Sequence, residues 1–417
     1  MSKKAAYIII VAFILLVVGG LMAFYFYTNR GTGGNILPTD GDGNIFPVGS
    51  SVDGGGRGES VVPPEISPTT PPDSGTETSR LDLKELSKRP SAGAVALSGS
   101  GGRGVLVRFV EKGTGNVYEV GPDASEVRLS NTTIPKIAEV LWNKDGVHLV
   151  ARYLKDGETE TIQSYSAALI TSAEDQTSGE LSGSFLTENI RAITTNPEQN
   201  KLFYIVNHSE GAVGVTADFD GSKKTQIFDS PLREWLATWP TAQTVALTTK
   251  ASTSIPGFMY LLNVKSGTLT RAISGIRGLT TLVSPDASVV LYSENTADGL
   301  FLKTYSFKKA TSEIVSVTTL PEKCIWSNRE SAIVYCSVPT YLGVGPYPDG
   351  WYQGVSSFSD DIWKIDTASG VVNLVVEPKK LVGRDIDGTN LFLSPSEDYL
   401  FFTNKFDYRV WSLRLKE

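Results

Sequence analysis

The chain has 417 residues, 41% hydrophobic and 10% aromatic, enough material for one large core. Its formal charge is −7, and because Lys3, Lys4 and Arg30 meet no acid in the first 30 residues, the remainder carries −10. This mildly acidic, mixed-sign chain has no basic footprint for nucleic acid, and with two histidines and two cysteines, none at ligand spacing, it offers no imidazole or thiolate metal site.

Residues 5–27 contain no charged side chain. As a helix at ~1.5 Å per residue they extend roughly 34 Å, enough to cross a hydrocarbon core of about 30 Å. Tyr7 at one end and Phe24, Tyr25, Phe26 and Tyr27 at the other match an interfacial aromatic belt. The competing reading is a cleaved signal peptide, but the apolar stretch exceeds the core of such a peptide and no clean Ala-x-Ala site follows. The expectation is a signal anchor over 1–30 that spans the membrane once. Lys3 and Lys4 against Arg30 place the N-terminus in the cytoplasm and the rest on the extracytoplasmic side.

Residues 31–80 hold 11 Gly and 7 Pro and show no apolar periodicity, so they read as a disordered linker. Asp40-Gly41-Asp42-Gly43-Asn44 opens like a calcium loop, but Ser51 stands where a bidentate glutamate is required. It reads as solvated linker.

From residue 81 onward one pattern recurs: a short polar turn followed by an apolar run. Ser284-Pro285-Asp286 leads into 289–292, Ser394-Pro395-Ser396 into 399–402, and Asn196-Pro197-Glu198 into 202–206. Looser copies start at Ser98, Trp142, Trp239 and Trp326. The turn-to-turn intervals are 44, 54, 43, 45, 42 and 68 residues. Seven units with a period of 40 to 50 residues, each long enough for four short strands, predict an all-β, seven-bladed β-propeller over 81–417. In the unit at 280–318 all four strands are legible as runs rich in Val, Leu, Tyr and Phe. The last unit ends after its third strand, while residues 81–87 form an orphan strand at the other end. The N-terminal strand is therefore expected to complete the last blade and close the ring.

The Ser-Pro-Asp turn with its apolar strand resembles the repeat of TolB-type, WD40-like bacterial propellers. The resemblance covers about 81–417. It implies the fold and leaves function open, because such propellers serve as scaffolds, binding domains and enzyme accessory domains. Only Ser284 opens a full Ser-Pro-Asp turn; three units place Trp there, and these tryptophans are expected in the core.

No catalytic constellation is apparent. There is no Gly-x-Ser-x-Gly, and the acids at Asp360-Asp361 and at Asp385 and Asp387 read as solvated turn residues. No cofactor is implied. The interval from 326 to 394 carries an insertion, 339–354, shaped by Gly and Pro and rich in rigid aromatics. Tyr341, Tyr347, Asp349, Trp351, Tyr352 and Gln353 are the candidate partner-binding residues. The alternative is a lid that folds back and buries its aromatics. The second long interval, with 171–184 at its centre, reads as a polar, mobile loop. Cys324 and Cys336 flank one turn at a register that allows a disulfide, with two buried thiols as the alternative. The favoured function is a non-enzymatic, membrane-tethered binding or scaffolding module for an envelope protein or glycan. The alternative is an envelope hydrolase or lyase with carboxylates in the propeller channel.

Overall fold

The computed structural model describes residues 82–99, 104–121, 124–155, 157, 161–171 and 178–415. Seven four-stranded sheets account for 28 strands, and each sheet is an antiparallel meander. In chain order the blades occupy 91–128, 137–185, 190–230, 235–277, 281–314, 324–376 and 388–414. We call them blades 1 to 7 and their successive strands A to D. In five of the seven neighbouring pairs, blade 7 against blade 1 included, the first strands touch one another, so strand A is innermost. The fold is a seven-bladed β-propeller.

Blade 7 lacks a C-terminal fourth strand. Leu83–Glu85 takes that place, pairing Leu83 with Leu413 and Glu85 with Trp411 along strand C (Val410–Arg414). Leu83 is buried among Leu391, Leu400, Phe402 and Leu413, so the closing strand also contributes to the core between blades 6 and 7. The expected anchor at 1–30 and the linker at 31–80 lie outside the described residues. No described helix is long and apolar enough to cross a membrane.

The turns between strands A and B share one construction. In Ser284, Ser394 and Asn196 the side-chain oxygen accepts backbone N–H groups four and five residues ahead, at 2.9 to 3.2 Å. Three residues after each of these stands a left-handed residue: Ala287, Glu397 and Gln199, with φ of 54°, 56° and 54°. Asn143 and Gly146 (φ 67°) repeat the backbone of this turn, but there Asp145 Oδ1 accepts the N–H groups of Val147 and His148. This alignment corrects the expected position of two tryptophans. Trp142 and Trp326 stand one residue before the turn, as the last residue of strand A, and Asn143 and Ser327 occupy the place of Ser284. Both rings are buried and donate Nε1–H to strand A of the preceding blade, Trp142 to Gly93 (3.1 Å) and Trp326 to Leu282 (3.3 Å). Trp239 is buried as well.

The polar stretch expected as a loop at 171–184 contains strand D of blade 2, Glu180–Phe185, paired with Ile162–Ile170. An outermost strand buries one face only, so Leu181 with a small Gly183 against the Ser166 backbone suffices, and no apolar run marks it.

Candidate functional site

In each blade the B–C loops and the D–A connections emerge at the same end of the ring, opposite the turns just described. The 339–354 insertion belongs to the B–C loop of blade 6, between strand B (Ile333–Pro339) and strand C (Asp360–Asp366). It carries a one-turn helix, Asp349–Tyr352. Neighbouring blades hold it in place. Asn295, near the end of strand B of blade 5, donates to the carbonyls of Gly345 (2.9 Å) and Tyr347 (3.1 Å). Asp349 accepts the backbone N–H of Thr253 from the B–C loop of blade 4 at 2.8 Å. From blade 7, the Lys405 ammonium lies 4.1 Å from the centre of the Trp351 ring, and burial lowers its pKa. The insertion of blade 6 is thus held by residues of blades 4, 5 and 7.

Beneath it, Tyr347, Trp351 and Phe358 pack with Leu300 and Leu320 into a small core. The rings of Trp351 and Phe358 are stacked, with centroids 6.3 Å apart and planes inclined by 8°. Below these rings lies a charged triad: Lys323, Asp360 and Asp387, each with a side chain 0% exposed. Lys323 ends the 3-10 turn that leads into blade 6, Asp360 opens strand C of that blade, and Asp387 immediately precedes blade 7. The Lys323 ammonium contacts Asp387 Oδ1, Asp360 Oδ2 at 2.8 Å and the Gly388 carbonyl at 3.1 Å. Trp351 Nε1 donates to both oxygens of Asp387 (3.2 and 3.1 Å), and the Phe358 backbone N–H donates to Oδ2 at 3.1 Å.

Asp360 Oδ2 also accepts the Gly388 N–H at 2.7 Å, whereas its Oδ1 is buried without a partner. Burial, opposed by Lys323, pushes the Asp360 carboxyl up to about 6. Gly388 is required here, since a Cβ would stand 2.2 Å from Ser337 Oγ. Beside the triad, the Tyr352 hydroxyl donates to Glu322 Oε1, and burial pushes Glu322 up to about 7 despite that bond. Burial, then the Glu322 charge, raises the Tyr352 phenol.

Comparison with known proteins supports the architecture. No family model matches the sequence, and no curated protein does. Among solved structures, the oligogalacturonate lyase of Vibrio parahaemolyticus superimposes with a TM-score of 0.51 at 12% identity, over 82% of this chain and 95% of that one. The hydrazine synthase of Kuenenia stuttgartiensis gives 0.49 at 12% over 79% and 96%, and a TolB from Agrobacterium tumefaciens gives 0.37 at 12% over 53% and 79%. The likeness to the lyase is one of fold.

The six candidate residues separate into two groups. Tyr347 and Trp351 are buried, as the lid alternative requires, and they hold the insertion down. Tyr341 (83% exposed), Tyr352 and Gln353 face solvent, and Asp349 is partly covered by its bond to Thr253. The acids read as solvated divide likewise. Asp385 is exposed and Asp361 partly so, but Asp360 and Asp387 are fully buried, because Lys323 and the insertion enclose them. Sequence reasoning missed Lys323 altogether.

Cys324 and Cys336 stand opposite each other on strands A and B of blade 6, Cα atoms 4.1 Å apart, and form a disulfide. The turn between them is one residue longer than its counterparts, with the Ser327 N–H reaching the Ile333 carbonyl, and this centres it where the pairing needs it. A groove of about 800 Å³ opens on the outer edge between blades 6 and 7, lined by Leu374, Val376, Leu381, Lys380 and Arg414 among others; it includes none of the triad.

Proposed function

We propose that the chain is a membrane-tethered, extracytoplasmic binding or scaffolding propeller whose partner docks on the B–C end of the ring. One observation carries this reading. Tyr341, Val344 and Val355 of the blade 6 loop are 83%, 77% and 80% exposed, and Ile255, beside the Thr253 that holds Asp349, is 68% exposed. Large apolar side chains held in solvent on a backbone pinned to its neighbours are pre-organised for contact, so little ordering entropy is lost on docking. Two valines and an isoleucine favour a protein over a glycan, since aliphatic groups bury against a packed surface and a sugar is gripped by aromatic faces and hydrogen bonds. The disulfide accords with an oxidising compartment, and the apolar stretch at 5–27 supplies the tether.

The enzyme alternative needs carboxylates that face an opening. Asp360 and Asp387 do lie beside the aromatic insertion, but they are sealed and bound to Lys323.

A photo-crosslinking residue at position 341 should trap a protein adduct of defined mass in intact cells. The same residue at 265, exposed at the opposite end of the ring, should not. Equal trapping at both positions, or none at 341, refutes docking at the B–C end.

A further inference from the structure

The triad holds more than an ion pair requires. Two buried carboxylates around one ammonium leave a negative excess in a site closed to water, an arrangement whose desolvation cost is poorly repaid by attraction alone. The walls are apolar: Lys323 Nζ lies 5.3 and 5.2 Å from the centres of the Trp351 and Phe358 rings. The two aspartates are also held differently. Asp387 Oδ2 receives the Phe358 N–H at 3.1 Å and the Trp351 Nε1–H at 3.1 Å, the latter shared with Oδ1 at 3.2 Å, while Oδ1 also faces the amine. Donors aimed at one carboxyl oxygen stabilise the charge that grows there when a nucleophile adds to the carbon. Asp360 places Oδ2 2.8 Å from the amine and keeps Oδ1 buried without a partner, free to take and return a proton.

We infer that Lys323 and Asp387 condense into an intramolecular isopeptide bond, with Asp360 carrying the proton. The Lys323 ammonium passes one proton to Oδ1 of Asp387, which makes that carboxyl a neutral acid, and the neutral amine adds to its Cγ while Trp351 and Phe358 hold Oδ2. The Nζ–Cγ bond forms. Asp360 takes a second proton from the nitrogen and delivers it to the Oδ1 hydroxyl, the Cγ–Oδ1 bond breaks, and the oxygen leaves as water. The ammonium thus loses two of its three protons to the departing oxygen, Asp360 ends as it began, and no oxidant or co-reactant is needed. Burial of Asp360, which raises its affinity for a proton toward neutrality, suits it to this exchange. Holding amine and carboxyl in contact replaces a bimolecular encounter, an advantage equivalent to an effective concentration of roughly 10⁵ M or more. The product removes two buried charges and ties the entry to blade 6 to the entry to blade 7, 64 residues apart.

The test is mass spectrometry of the full-length chain, purified folded, reduced and digested. The expected result is a branched peptide joining the segments around Lys323 and Asp387, lighter than their sum by one water. Asp387→Asn should give the same branch with loss of ammonia, since either leaving group yields the same amide. Asp360→Asn should fold yet accumulate the branch many-fold more slowly. Folded wild-type protein that yields Lys323 and Asp387 only in linear peptides overturns the proposal, and this measurement depends on no variant. A branch to Asp360 overturns the choice of Asp387, and full cross-linking in Asp360→Asn overturns the role of Asp360.

Discussion

Blades 5 and 6 solve the same packing problem with opposite chemistry. Thr280 and Lys323 occupy one position in the repeat, each four residues before the first residue of the A–B turn and each opposite a buried serine of strand B, Ser293 and Ser337. In blade 5 the spot is neutral and closed by local bonds. Ser293 Oγ accepts the Thr280 N–H (2.9 Å), meets its hydroxyl (2.9 Å) and donates to the Gly278 carbonyl (2.6 Å). In blade 6 a lysine reaches out of the blade to two aspartates, and it is enclosed only because a long insertion roofs it. The repeat therefore fixes a buried polar position without fixing its charge. A charged solution recruits parts from elsewhere in the chain and makes the blade dependent on them.

The comparison breaks most visibly at Lys323. Giving blade 6 the residue of blade 5, Lys323→Thr, leaves Asp360 and Asp387 buried together without a cation. Removing one partner of a buried charge cluster costs about 3–5 kcal/mol. Urea unfolding should show a midpoint far below wild type, with the insertion opened to proteolysis. A midpoint within error of wild type would mean that the charged triad contributes no more than its neutral counterpart.

A smaller effect is expected from pH, and it sharpens the contrast because blade 5 has no equivalent. Glu322 titrates near 4.5 when unfolded and about 7 when folded, so folding takes up a proton between these values. The stability gained is complete below pH 4.5 and is lost as pH rises through 7. It amounts to no more than about 3 kcal/mol, reduced by the partial exposure of the side chain. Asp360, raised to about 6, adds a slope of the same sign that ends lower. Glu322→Gln should thus flatten the stability profile between pH 6 and 7 and leave, from 4 to 6, only the shallower fall due to Asp360. An unchanged slope above pH 6 would show that Glu322 ionises as freely in the folded chain as in solution.

The same contrast explains what the sequence disclosed. The A–B turns, the apolar B strands and the completion of blade 7 by Leu83–Glu85 are written locally, in spacings of a few residues repeated along the chain. The pairing of Cys324 with Cys336 was legible because register within one hairpin follows from counting. The triad was not, because Lys323, Asp360 and Asp387 each resemble a solvated loop charge, and nothing in their neighbourhoods shows that the ring gathers them under Trp351. The alternation Asp385-Ile386-Asp387, in which the isoleucine and the second aspartate turn out buried, offered only a faint signal. Strand D of blade 2 was missed for the opposite reason. Glu180–Phe185 is polar on its open face, so a paired edge strand has the composition of a loop.

The smallest effect is expected in blade 5 itself. Thr280→Val keeps the shape of the side chain and removes its hydroxyl. Ser293 Oγ still accepts the backbone N–H of residue 280 and still donates to Gly278, so no buried donor or acceptor is stranded. The loss is then one neutral hydrogen bond, about 1 kcal/mol, offset in part by the added methyl group. Urea unfolding of Thr280→Val beside Lys323→Thr measures the two solutions on one scale. If the blade 5 variant lost as much as the blade 6 variant, the serine–threonine pair would be part of a wider network, and the neutral site would be no less dependent on its surroundings than the charged one.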